Sequence, residues 1–255
     1  MMMAGSEVMV RASRLAHLEI GFTCLVLSMA SGALAHSQET QTLTAGAIEK
    51  ALEDEDINGL SVSVSGTDAV LTGGVRNVFQ KDRAIELALE QEGVEAVDVD
   101  IEIAAAESDE KLGEDVVSRV RRYSRFTVFD DVSAAVLEGS VTLFGFVTEP
   151  YKKDEIERRL HDVLGIQGFQ NQIEVLPNSM TDNQLRRTLA NRLYRDSTFS
   201  DFASMTVPPI RIIVKNSRVL LTGAVNSRLA KQKAEHIIRQ TPGVLSVENR
   251  LRIGN

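Results

Sequence analysis

The chain has 255 residues, 43% hydrophobic and 25% charged, with a formal net charge of −8. That is ordinary globular composition, and the length allows one to three domains. Tryptophan is absent and aromatics make up only 5%, so any core must be built mainly from Val, Leu, Ile and Ala.

Residues 1–35 read as an export signal, starting at Met1 or at Met9. Arg11 and Arg14 form a basic flank, Ile20 to Ala30 is an eleven-residue apolar run, and Ala33-Leu34-Ala35 gives a small-x-small site for cleavage after Ala35. The run is short of the roughly 20 apolar residues that a lasting membrane helix needs. A stable anchor is the competing reading. So is a lipoprotein acylated at Cys24, although "GFTC" lacks the flanking residues usual for that modification. Cys24 is the single cysteine, so cleavage leaves a mature chain with no disulfide and no thiolate site. Export to the periplasm of a two-membrane bacterium fits these features.

Three copies of one unit follow. "LTGGV" (Leu71–Val75), "LFGFV" (Leu143–Val147) and "LTGAV" (Leu221–Val225) align on Gly73, Gly145 and Gly223. A second glycine stands twenty residues after each anchor, at Gly93, Gly165 and Gly243. Behind it, apolar residues alternate as in a strand: Val97, Val99, Ile101 and Ile103; Phe169, Ile173 and Val175; Val247, Leu251 and Ile253. The modules are expected over 43–106, 107–177 and 178–255, as a tandem repeat.

Each module opens with an amphipathic helix, expected over Thr44–Glu55, Asp109–Ser124 and Asp182–Arg195. In the third copy Leu185, Leu189 and Leu193 make one apolar stripe. Two strands come next, the second carrying the anchor glycine. A second helix is expected over Asn77–Glu92, Pro150–Leu164 and Ser227–Gln240, with Leu229, Ala230, Ala234, Ile237 and Ile238 as its apolar face in the third copy. Gly93, Gly165 and Gly243 are placed to stop that helix as C-caps before the last strand. The fold class is α+β: three αββαβ modules, each with two helices on one face of a small mixed three-stranded sheet. On the glycine strand, alternation puts Gly73, Gly145 and Gly223 on the apolar face, where a missing side chain is expected to let a helix approach closely. A phosphate cradle would need a glycine-rich loop leading into a helix, which is absent here.

Val219–Val225 and Gly243–Leu251 carry the patterns V-x-L-x-G-x-V and G-V-x-x-V-x-N-x-L, which resemble the BON domain, a module named for osmotically induced and nodulation-related bacterial proteins. The resemblance spans nearly the whole mature chain. The first copy departs from it with Val99 where Asn171 and Asn249 stand, and the second with Phe144 and Phe169. It implies a periplasmic or envelope location, links to osmotic stress, no established catalytic residues, and, in some members, binding to anionic phospholipid or chaperone-like activity.

Catalysis has little to work with. His36, His161 and His236 remain after cleavage; His161 and His236 occupy non-equivalent positions, outside any metal-ligand spacing, and read as surface helix residues. No nucleophile elbow is visible, and Glu53-Asp54-Glu55-Asp56 lacks the spacing of a calcium loop. No catalytic residue, metal or cofactor is assigned, and the chain is read as a non-enzyme.

Charge is distributed unevenly. Residues 43–106 carry 4 basic and 14 acidic side chains, residues 107–177 carry 9 and 14, and residues 178–255 carry 13 and 5. The third module places Arg186, Arg187, Arg192 and Arg195 on its first helix and Arg228, Lys231, Lys233 and Arg239 on its second. Its longer connection, Asp196–Ile210, contains Phe199, Phe202 and Met205. Basic residues beside apolar loop residues suit an anionic lipid surface. The candidate contacts are Arg186, Arg187, Arg192, Arg195, Phe199, Phe202, Met205, Arg228, Lys231 and Lys233. The opposing reading has the loop folding back onto its own module and the arginines pairing with the acidic first module or another chain. Nucleic acid fits poorly, because the aromatics lack a stacking pattern. In the second module Phe144 and Phe146 point away from the helix side of their strand. They should be covered by a neighbouring module, or by a protein client or a second copy.

Overall fold

The computed structural model describes residues 44–205 and 208–254. The leader expected over 1–35, with Cys24, and His36 lie outside them. Within the described residues the αββαβ order holds three times. Helix α1 (44–54), strands β1 (Leu60–Ser65) and β2 (Asp68–Val75), α2 (Val78–Leu89) and β3 (Ala96–Ile103) form the first copy. The second is α3 (Asp109–Arg121), β4 (Asp131–Leu137), β5 (Ser140–Val147), α4 (Pro150–Arg158) and β6 (Gly168–Val175). The third is α5 (Met180–Tyr194), β7 (Ile210–Lys215), β8 (Arg218–Val225), α6 (Arg228–Arg239) and an edge strand in two pieces, β9 (Ser246–Asn249) and β10 (Arg252–Ile253).

Each sheet has the glycine strand at its centre. It pairs antiparallel with the strand before it through a tight hairpin and parallel with the strand after α2, α4 or α6. A parallel return needs a crossover helix, which explains why one always intervenes. Four helices start on a side-chain cap: Asn77, Ser108, Ser179 and Ser227 accept from Gln80, Lys111, Asp182 and Ala230 amides. In β8 the buried Val219, Leu221 and Val225 share the face of Gly223 and pack with Leu185, Leu189 and Leu193 of α5 and Ala234 and Ile238 of α6. Leu71 and Val75 do the same in the first core.

The anchor glycines have a different cause from the one expected. Gly73, Gly145 and Gly223 all hold positive φ, from 99° to 128°, where a side chain is strained. A Cβ there would overlap the carbonyl oxygen of Gly59, Asp131 or Pro209, at or just before the start of the adjacent strand. In the first and third copies that carbonyl accepts from the amide just after the glycine, Gly74 or Ala224, at 3.1 Å. The glycine therefore kinks the central strand against its antiparallel neighbour and makes room for backbone, not for a helix. Gly93, Gly165 and Gly243 also differ from expectation. The helices end on Glu90, Arg159 and Gln240, and these glycines turn the chain, with φ near 90°, a few residues later.

The chain divides into two compact units. One is the first module together with Asp162–Gln167; the other is Glu107–His161 with Gly168 onward. In the first unit, Asp162–Gln167 lies against the β2–α2 corner. Val163 carbonyl accepts from Asn77 Nδ2 (2.9 Å), Gly165 amide donates to Arg76 carbonyl and Val78 amide donates to Ile166 carbonyl. This accounts for α4 stopping at Arg158, well short of the expected Leu164: the backbone beyond it finds its partners elsewhere. In the second unit, the Ile212 amide on β7 donates to Val128 carbonyl (2.8 Å), and Val128 and Phe129 pack on the third core.

Candidate functional site

The residues expected to meet a lipid surface separate into two sets. Phe199 is 1% exposed and sits inside the third core, with Phe202 packed beside it. The connection Asp196–Ile210 thus turns these rings inward. Arg186 is also buried, 3% exposed. Its guanidinium donates to Val214 carbonyl (2.7 Å) and to Asn183, and burial holds it below its ordinary pKa. One turn earlier, Asp182 accepts from the Asn216 and Ser217 amides, which carry positive φ in the β7–β8 turn. Arg186 and Asp182 together clamp α5 to that hairpin. Phe199 and Arg186 are therefore structural and do not face a membrane.

The second set stays at the surface. Arg187, Arg192, Arg195, Met205 and Arg228 are exposed, and Lys231 and Lys233 are half-buried. Lys233 is committed to Asp196 (2.7 Å), and Arg192 donates to Gln240 carbonyl and Thr241 Oγ1. Arg228 and Lys231 make no ion pair among the described residues.

The structure adds residues that periodicity had assigned to the core. Leu229 is 74% exposed and Ile253 is 54% exposed. Ile253 pairs with Val225, the end of β8, and α6 starts three residues later at Arg228. Leu229, Ile253 and Arg228 thus gather at one end of the third module, while Arg252, next to Ile253 on the strand, points to the opposite face. A sequence signal existed for Leu229: its helical neighbours at i+3 and i+4 are Gln232 and Lys233, whereas Ala230, Ala234 and Ile238 form the buried stripe. Arg228 occupies the first position of α6, where the helix dipole disfavours a cation. Helix stability is not its reason for being there.

The second module carries a polar feature missed in the sequence. Lys152 Nζ lies 2.6 Å from Asp130 Oδ2, both buried. Asp130 also accepts from Thr127 amide and hydroxyl, each at 2.7 Å, and from Thr148 amide and hydroxyl. Burial pushes its carboxyl up, but the bonds from Lys152, Thr127 and Thr148 outweigh that and hold it below the usual carboxylate value. Counting from the anchor glycine, Lys152 aligns with Gln80 and Ala230, and Asp130 with Asn58 and Pro208. A charged pair unique to one copy was the available clue.

Phe144 is 44% exposed and Phe146 half-buried, on the sheet face that also carries their strand partners Ser133 and Asp131. His236 is exposed on α6, and His161 is exposed in the turn beyond α4, not on the helix. Among the described residues no three His, Cys, Asp or Glu side chains gather as a metal site, and no helix is long and apolar enough to cross a membrane.

Comparison with known proteins places this geometry. Residues 40–105, 108–177 and 181–255 each match the family model of the BON domain. No curated protein matches the chain. Among solved structures, the C-terminal domain of CdsD, a structural protein of the type III secretion system of Chlamydia trachomatis, is 15% identical. The match covers 82% of this chain and 96% of that one with a TM-score of 0.25. A second CdsD structure gives 15% identity, 82% and 92% coverage and a TM-score of 0.24.

Proposed function

The chain belongs to the BON domain family, with three modules in tandem, and on that premise we propose that it is a non-enzymatic protein of the periplasm or cell envelope that docks on anionic phospholipid surfaces through its third module. The observation that carries this reading is the end of that module. Leu229 and Ile253 stand exposed at the end of the module where Arg228, which makes no ion pair among the described residues, opens α6, on a module with 13 basic and 5 acidic side chains. Apolar side chains that enter the headgroup layer, flanked by cations, suit an anionic interface, where each cation contributes about 1 kcal/mol.

The test is co-flotation of the mature chain with vesicles containing phosphatidylglycerol, at low and high salt. Binding at low salt that is lost at high salt, and weakened by Leu229→Ser with Arg228→Gln, supports the reading. No binding at low salt would overturn it. A second reading rests on Phe144: a ring 44% exposed on a sheet face is a surface for a protein client. It predicts that the chain suppresses aggregation of an unfolding protein and that Phe144→Ser abolishes the effect.

A further inference from the structure

We propose that the cleft between the second and third modules, inside the second unit, binds a phosphate-type anion. The cavity has a volume of about 260 Å³ and is lined by Arg121, Arg211 and Arg252, together with Asp130, Asp131 and Ser133 among others. The three guanidiniums come from three separate elements: the last residue of α3, the second residue of β7 and the first of β10. Only the folded pair of modules brings them together.

The charges in this cleft do not cancel. Asp130 is spent, its oxygens taken by Lys152, Thr127 and Thr148. That leaves three arginines facing one available carboxylate, Asp131. Arg211 donates one bond, from Nη1 to Pro208 carbonyl (2.8 Å). The described residues give its Nε and Nη2 no hydrogen-bond partner. Burial lowers its pKa, and the nearby Asp131, Tyr194 and Asp130 offset that only in part. Arg121 and Arg252 make no side-chain hydrogen bond or ion pair among the described residues. Gathering like charges is unfavourable by itself, and planar guanidinium forks match the oxygens of a phosphate. A hydroxyl from Ser133 adds a neutral donor to the lining. The volume is sufficient for a phosphate-sized anion.

The same chemistry can arrive as free phosphate or as the phosphodiester of a lipid headgroup, and the experiment separates them. The full mature chain is titrated calorimetrically with inorganic phosphate and, separately, with phosphatidylglycerol vesicles, at fixed ionic strength. The variants are Arg121→Gln with Arg252→Gln, both exposed and expected to leave the melting temperature unchanged, and Leu229→Ser with Arg228→Gln. Saturable phosphate binding that falls at least tenfold in Arg121→Gln/Arg252→Gln, but not in Leu229→Ser/Arg228→Gln, supports a site for free phosphate. Binding seen only with vesicles, and weakened tenfold by Arg121→Gln/Arg252→Gln, supports the headgroup as source. Absence of saturable binding to either probe, or equal binding by the Arg121→Gln/Arg252→Gln variant, overturns the site. Either result leaves the Leu229 surface to be judged on its own variant.

Discussion

Lys152 and Asp130 form an ion pair that is closed off from solvent, 2.6 Å apart, at the point where the second module meets the third. Asp130 ties down the Thr127–Asp130 turn, and the Val128 carbonyl of that turn receives the Ile212 amide of the next module. Removing one partner of such a pair leaves an uncompensated buried charge, at a cost of about 3–5 kcal/mol. Lys152→Met should therefore lower the stability of the second unit by that order, seen as a lower urea midpoint. Replacing both, Asp130→Leu with Lys152→Met, should recover much of the loss, yet still speed hydrogen exchange at Ile212, because the turn is no longer tethered. Unchanged exchange at Ile212 in the double variant would separate the pair from the joint.

The same pair sets an acid limit. Asp130 is held below its ordinary value, so as pH falls the unfolded chain takes up the proton first. The stabilisation is complete above the unfolded carboxylate pKa, about 3.9, and drains away as pH drops below it towards the folded value. Asp196 and Glu235 also lie below their ordinary values, but they are common to wild type and variant. The urea midpoint of wild type should thus fall more steeply than that of Asp130→Asn as pH drops below about 4. Parallel slopes would show that Asp130 does not set the limit.

The repeat was legible because its spacing is rigid: two glycines twenty residues apart and alternating apolar positions gave the αββαβ order and the buried face of β2, β5 and β8. What covers each face was not legible. Leu229 could have been read as exposed from its polar i+3 and i+4 neighbours, but nothing in the composition of the connection says that it turns Phe199 inward. Arg186 and Lys152 were hidden for a related reason. A buried cation is licensed by acceptors distant in sequence, Val214 carbonyl and Asp130, and no local pattern announces them.

The glycine kink gives a sharp test. At Gly223 the positive φ alone costs a side chain about 1–3 kcal/mol, and the Pro209 carbonyl occupies the space where Cβ would sit. Gly223→Ala should cost more than Gly93→Ala, since Gly93 shares a positive φ but has nothing within 4 Å of the added carbon. Equal losses in thermal melts would mean that conformation alone, not the neighbouring carbonyl, requires the anchor glycine.

One departure between copies resolves into a swap of chemistry. Asn249 Nδ2 donates to Lys231 carbonyl and Glu235 Oε2, and its Oδ1 accepts from Leu251 amide; Asn171 does the same with Lys153, Glu157 and Ile173. In the first copy the equivalents of Asn249 and Glu235 are Val99 and Ile85, both packed against the core. Each copy joins its last strand to its second helix, by hydrogen bonds in two and by apolar contact in one. Asn249→Val should cost about 1–2 kcal/mol through the lost bonds, and adding Glu235→Ile should restore part of it. Strictly additive losses in the double variant would rule out the swap.

The two sets of sequence-expected lipid residues should behave in opposite ways. Phe199→Ala empties a core position and should cost about 3–5 kcal/mol of stability, with vesicle affinity per folded molecule unchanged. Arg228→Glu should do the reverse. It replaces a cation by an anion at the first position of α6, which the helix dipole favours, so stability should hold or rise. At the membrane the same change removes one attraction of about 1 kcal/mol and adds a repulsion of similar size, roughly a thirtyfold loss of affinity at low salt. High salt should shrink that ratio by screening, whereas the loss caused by Leu229→Ser should persist, because burial of an apolar side chain is not screened. Arg228→Glu binding vesicles as tightly as wild type at low salt would remove this end of the third module from the interface.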